Sequence, residues 1–161
     1  MAHDASSKYY LGNEFFVYVK DASSNDKPFA YSTECTLSIS ANQIDTSNKQ
    51  SGIWASALPG QLSWNISTGA LYTTANNYSE IFDMMTTRKA VTVTFGQVTN
   101  VNNISDPSTN VANAAIALAT GEKHYTGTAY ITSLELNAGN NEVASFTCEF
   151  TGEGELTELP A

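Results

Sequence analysis

Residues 127–154 read GTAYITSLELNAGNNEVASFTCEFTGEG, and their alternation decides the fold. On the return half, Ala144, Phe146, Cys148 and Phe150 stand against Val143, Ser145, Thr147 and Glu149, a period of two with one apolar and one polar face. On the outgoing half, strict alternation sets Tyr130, Thr132, Leu134 and Leu136 one way and Ile131, Ser133 and Glu135 the other. Between them Asn137 to Asn141 supplies Gly139 and the asparagines of a turn. The pattern predicts a long antiparallel hairpin that buries one row of side chains.

The same period recurs upstream. Cys35, Leu37, Ile39 and Ala41 alternate with Thr36, Ser38, Ser40 and Asn42; Leu62, Trp64 and Ile66 follow, then Val91, Val93 and Phe95, and an earlier strand is expected over Phe15 to Lys20. From Gln43 to Gln61 the alternation breaks, and Asn48, Lys49, Gln50, Ser51 and Gly52 precede Trp54, which predicts a long functional loop. An isolated indole there points to docking, onto its own barrel or onto another molecule, because exposure forfeits up to about 3 kcal/mol of burial. One helix is expected over 78–88: Tyr78, Ile81, Phe82 and Met85 share a face, Asn77 is a candidate N-cap, Glu80 and Asp83 sit in early turns, and Arg88 and Lys89 close the end. Ala112 to Ala119 is of marginal helical length, and Asp21 to Pro28 has turn composition. No repeat or linker divides the chain, so one mainly β domain over 1–161 is expected, with residues 1–14 as an N-terminal arm.

Composition agrees with strands. Charged residues are 14% of the chain against about 25% in an average soluble protein, while Ser, Thr and Asn number 17, 19 and 15. Such a surface favours strands and turns over long exposed helices. The net charge of −9 has the wrong sign for gripping nucleic acid through its phosphates, although it suits a protein that DNA must pass without sticking. Cys35 and Cys148 both occupy the apolar phase of a strand and read as buried free thiols, with a disulfide as the second reading. Met1 to Leu11 is polar and no apolar run approaches the ~20 residues that span a bilayer, so assembly in a reducing cytoplasm without membrane insertion is expected.

No catalytic constellation emerges. His3 and His124 are the only histidines, neither has a second ligand at metal spacing, and no phosphate or dinucleotide fingerprint is present. The run Glu149, Glu153, Glu155 and Glu158 lacks the register of a calcium loop and reads as solvated charge. Three Asn-X-Ser triplets, at Asn65, Asn77 and Asn103, are chance matches in an Asn-rich chain. An enzyme is not expected, and no catalytic, metal or cofactor-binding residue is assigned.

Two separated segments carry a resemblance. Ile44-Asp45-Thr46-Ser47, Trp54, Leu58-Pro59-Gly60 and Ser63-Trp64-Asn65-Ile66-Ser67, followed by the hairpin running into Phe150-Thr151-Gly152, resemble the major tail tube protein family of tailed bacteriophages. Residues 1–10 and 100–118 contribute least to it. The resemblance implies a tail-tube-type β-barrel or sandwich with one flanking helix and a long loop over 43–61. It implies a structural virion protein, made in the host cytoplasm, whose copies form hexameric rings that stack into a conduit for the genome. Implied partners are further copies, tail terminator, tape measure and baseplate or distal tail proteins, and DNA in transient passage. The loop residues Ile44, Asp45, Thr46, Ser47, Trp54, Leu58, Pro59 and Gly60 would then touch a neighbouring subunit. The polar strand faces, Ser38, Ser40, Asn42, Ser133, Glu135, Ser145, Thr147 and Glu149, would line the lumen. An inner tube subunit of a contractile injection system is an alternative of the same architecture. From another class, an extracellular β-sandwich adhesion or carbohydrate-binding module shares the Ser/Thr/Asn-rich strands.

Overall fold

The computed structural model describes residues 12, 15–20, 26–28, 32–72, 78–97 and 122–159. The expected N-terminal arm other than Gly12, most of the Asp21–Pro28 turn, the Asn77 cap and the segment 100–118 with its Ala-rich run lie outside the described residues.

The described chain is mainly β with one helix. The strands are β1 (Phe15–Lys20), β2 (Asp26–Pro28), β3 (Ser32–Asp45), β4 (Ala57–Leu71), β5 (Val91–Gln97), β6 (His124–Asn137) and β7 (Ser145–Leu159), with α1 (Tyr78–Thr86) between β4 and β5. They form a single seven-stranded sheet in the order β2-β1-β5-β6-β7-β4-β3, every pairing antiparallel. The sheet does not close into a barrel, since β2 and β3 are its edges. It rolls, however: the Cys35 thiol of β3 donates to the Phe15 carbonyl of β1 at 3.5 Å, joining strands from opposite halves of the order.

The inner face of the roll is the core. Ile66, Phe150 and Ile131 lie side by side on β4, β7 and β6, and Ala70 and Phe146 form the next apolar pair but one; Val17, Val19 and Val93 extend the surface onto β1 and β5. Each fully buried side chain of this size contributes about 1.5–3 kcal/mol. Polar groups inside are paired: Thr68 donates to the Glu34 carbonyl at 3.2 Å, and Thr94 donates to the Thr126 hydroxyl at 3.1 Å.

Two irregularities revise the sequence reading. Ile131 pairs with Phe150 and Ser133 with Glu149, leaving Thr132 as an extra residue. This β-bulge reverses the phase of β6, so Ile131, Leu134 and Leu136 share the apolar face while Tyr130, Ser133 and Glu135 share the other. Strict alternation had separated Ile131 from Leu134. The second correction concerns the long loop over 43–61. The β3–β4 ladder continues through Gln43↔Pro59, Ile44↔Leu58 and Asp45↔Ala57, so the loop proper is only Thr46–Ser56. A bulge that sets Gly60 and Gln61 against Asn42 hides the alternation there.

The helix ends earlier than its pattern suggests. Arg88 adopts φ 54°, and the Arg88 and Lys89 amides donate to the Met85 and Met84 carbonyls at 3.1 Å each, closing α1 after Thr86. Ile81 is buried, Met84 and Met85 pack on the core, and Tyr78 meets Phe146 edge-on at 5.2 Å. Phe82, expected on the buried stripe, is half exposed.

Trp64 lies flat over β7 and β6. A Cβ at Gly152 would fall inside its indole ring and one at Gly127 would meet it at 2.5 Å. Gly152→Ala is therefore expected to cost about 1–3 kcal/mol through overpacking, read as a lowered urea midpoint with the slope unchanged. An unchanged midpoint would mean that the indole moves aside freely.

Both cysteines are free, Cys148 buried and Cys35 half-buried. Burial pushes the Cys148 thiol up to about 12, with Glu149 adding to the shift, and burial also raises Cys35. Cys148 should thus resist alkylation at neutral pH until the protein unfolds, with Cys35 reacting first; rapid labelling of Cys148 in the native protein would contradict its placement.

Candidate assembly interface

Three surfaces follow from this fold: a projecting arm, a polar sheet face and unpaired strand edges. The arm begins where the sheet divides. β4 pairs with β7 only from Asn65↔Thr151 to Leu71↔Ser145, so its residues 57–64 are held by β3 alone. The root of the division is Trp64, whose Nε1 donates to the Gly154 carbonyl at 3.1 Å.

The arm is stiff at its tip because its polar residues satisfy one another. The Thr46 and Ser56 hydroxyls meet at 2.8 Å, the Ser56 amide donates to the Ser47 hydroxyl at 2.9 Å, and Asn48 accepts from the Gln50 amide at 2.8 Å. Asp45 accepts from the Ser47 amide at 2.8 Å, which holds its carboxyl below the ordinary value. Ile53 and Trp54 are left 92% and 79% exposed on this frame. A frame already ordered before contact reduces the entropy lost on docking.

All eight residues assigned to a contact loop fall on the arm. Ile44 and Leu58 form an exposed cross-strand pair, Asp45, Thr46 and Ser47 bind the base of the loop, and Trp54 stands at its tip. Pro59 pairs with Gln43, and Gly60 has a local reason, since a Cβ there would crowd the Asn42 carbonyl at 2.9 Å. Ile39, Leu62 and Ile53, which the sequence pattern does not mark as contact residues, are also exposed. Ile39 and Leu62 had the period of core positions, and only the division of the sheet leaves them uncovered.

The polar set gathers on one face. Thr36, Ser67, Glu149 and Ser133 form one row across β3, β4, β7 and β6; Ser38, Asn65, Thr151 and Tyr130 form the next, and Glu34, Gly69, Thr147 and Glu135 another. Ser145 ends this face beside Leu71 and Asn137, Ser40 pairs with Ser63 at 3.0 Å, and Asn42 faces the bulge at the root of the arm. The row members bond laterally: Asn65 donates to the Glu149 carboxylate at 3.1 Å, and the Thr132 and Thr151 hydroxyls meet at 3.0 Å. The Tyr130 hydroxyl donates to the Glu153 carboxylate, which raises its pKa.

The edges are long. β3 is an edge over its 14 residues, and β5 covers β6 only from His124 to Ala129, so residues 130–137 of β6 have no strand beside them on that side among the described residues. No group of metal-ligating side chains occurs among the described residues, and no described helix is long and apolar enough to cross a membrane.

Solved structures share this fold. A chain from the tail of an empty gene transfer agent (GTA) particle with C6 symmetry matches with TM-score 0.70 and 16% identity, covering 92% of this chain and 98% of that one. The SPP1 tail tube matches with TM-score 0.63 and 14% identity over 92% of this chain and 77% of the other. A chain from the six-fold symmetrised baseplate of the anti-feeding prophage matches with TM-score 0.58 and 15% identity, covering 95% and 97%. No curated protein sequence matches the chain. Residues 10–158 match the family described as phage tail tube protein, and because that span is nearly the whole chain, the protein belongs to the phage tail tube protein family.

Proposed function

We propose that this chain is a single-domain structural subunit whose copies close into hexameric rings, and that stacked rings form the tail tube through which a phage genome is delivered. Its role is architectural rather than enzymatic, and its place is the virion tail after assembly in the host cytoplasm. Neighbours at the tube ends would be tail terminator and baseplate or distal tail proteins, with a tape measure protein inside during assembly.

The observation that carries this reading is the four-stranded run β6-β7-β4-β3, apolar on one face, polar on the other and, among the described residues, without a strand beside β3 or beside residues 130–137 of β6 on their outer sides. An even number of antiparallel strands brings the β3 edge of one copy against the β6 edge of the next in antiparallel sense, so identical copies can continue one sheet around an axis. β3 carries only Glu34 and Asp45, and residues 130–137 of β6 only Glu135, a thin charge guard for edges this long. With the helix on the apolar side, the polar face turns inward. Six copies at −9 give −54 per ring, and carboxylates such as Glu135 and Glu149 would repel passing phosphates while the small hydroxyls keep the lumen wide and wet.

Two outcomes test the reading. Replacing Glu135 and Glu149 by Lys should preserve the fold and the tube but slow DNA ejection from assembled particles, most strongly at low salt; unchanged ejection, or a tube map with both residues on the outer wall, would reject the lumen assignment. Deleting residues 48–56 removes the arm tip while keeping the Asp45↔Ala57 ladder, so the variant should fold yet form no tubes in negative-stain images. Normal tubes from it would remove the arm from assembly.

A further inference from the structure

The two ends of the long strands carry matching surfaces. β4 runs from the arm tip at Ala57 to Leu71, beside Ser145 of β7, and the Tyr72 amide then donates to the Ala144 carbonyl at 2.7 Å. The β6–β7 turn and α1 therefore lie at the end of the sheet opposite the arm, about 50 Å away at the rise of an extended strand. There Tyr72, Tyr78 and Phe82 form an open notch of about 380 Å³, with Asp83 in its wall.

We propose that this notch receives Ile53 and Trp54 from the arm of a second copy of the chain. The proposal rests on the tube reading and adds the receiving surface. The notch is firm: Tyr78 meets Tyr72 edge-on at 5.2 Å and Phe146 of the core at the same distance. It is also open and walled mainly by aromatic rings, with Ser79 beside Asp83 at its polar side and Tyr72 44% and Phe82 50% exposed. Its aromatic walls offer rings against which an indole can stack.

Charge favours another copy as the occupant. Residues 39–62 carry one acid, Asp45, and one base, Lys49, in a chain of net charge −9, so the arm can approach an acidic copy without net repulsion. Lys49 lies in the same loop as Trp54, and Asp83 lines the notch. The molecule's own arm points away from its own notch, so the contact joins different copies. Because the arm and the notch lie at opposite ends of the long strands, a head-to-tail contact between them can repeat along the strand direction, as stacked rings require.

The test places a benzoylphenylalanine photo-crosslinker at position 54 in tubes grown from equal amounts of ordinary and ¹⁵N-labelled chains. Crosslinked peptides of mixed isotope that join position 54 to the segment 72–88 are expected; mixed-isotope crosslinks only to other segments would overturn the assignment. Trp54→Ala and Phe82→Ala should each raise the concentration needed for tube growth at least about tenfold, and the double variant should be little worse than either, as for two halves of one contact. Equal growth by Phe82→Ala would also overturn it, and if that variant fails to fold the crosslink still decides. Lys49→Glu should weaken growth and Asp83→Lys should restore it in the same chain. Were the unaltered protein to form no tubes at all, the tube reading would fall and this one with it; tubes with crosslinks elsewhere would remove this one alone.

Discussion

The arrangement of the molecule depends on one contact, the indole of Trp64 lying against backbone at Gly127 and Gly152. No side chain other than hydrogen fits beneath the ring, so β6 and β7 approach it closely and the core is sealed where β4 leaves its β7 partner. The indole N–H then finds the Gly154 carbonyl, at a residue with φ 75°, inside a bulge that sets Gly154, Glu155 and Leu156 against Gly127. On one side of this seal the sheet is four strands wide with a covered face. On the other it is the β3–β4 ribbon, whose apolar residues Ile39, Ile44, Leu58 and Leu62 are exposed.

That division separates two physical roles in one polypeptide. The wide region satisfies the ordinary requirement of a domain, burying Ile66, Phe146 and Phe150 between the rolled sheet and α1. The ribbon leaves Ile44, Leu58 and Trp54 in water, an arrangement that a monomer gains nothing from and that the proposed assembly would use. Membership of the tail tube family gives that exposure a rationale. Long edges without lysines, a neutral arm on an acidic chain and an aromatic notch at the far end all suit contact between copies.

The polar face shows how far composition constrains such a surface. Serine, threonine and asparagine side chains are short and bond laterally, as Asn65 does to Glu149 and Thr132 to Thr151, so these side chains lie close to the sheet and the Glu149 carboxylate is held beside it. Longer charged side chains would project further and, if basic, would hold DNA by releasing its counterions.

The strands, the described helix and the two-sided character of the sheet are written locally in the residue order, because a period of two or of 3.6 is a local property that any half-buried element must carry. Cys35 to Asn42 and Phe146 to Phe150 were legible for that reason, and the family was legible in Ile44–Ser47, Trp54 and Leu58–Gly60. The remainder depends on which segments meet in the fold. The extra residue at Thr132 reversed the faces of Ile131 and Leu134, and the bulge opposite Asn42 made paired strands look like a loop, since a bulge is fixed by the partner strand and leaves no period of its own. Ile39 and Leu62 alternate as core residues do, yet they are exposed, because burial depends on which strands lie opposite and β7 has already turned away from them. Tyr72 and Phe82 face each other across one notch only because β4 and α1 converge over Phe146, a meeting of segments that no local pattern encodes.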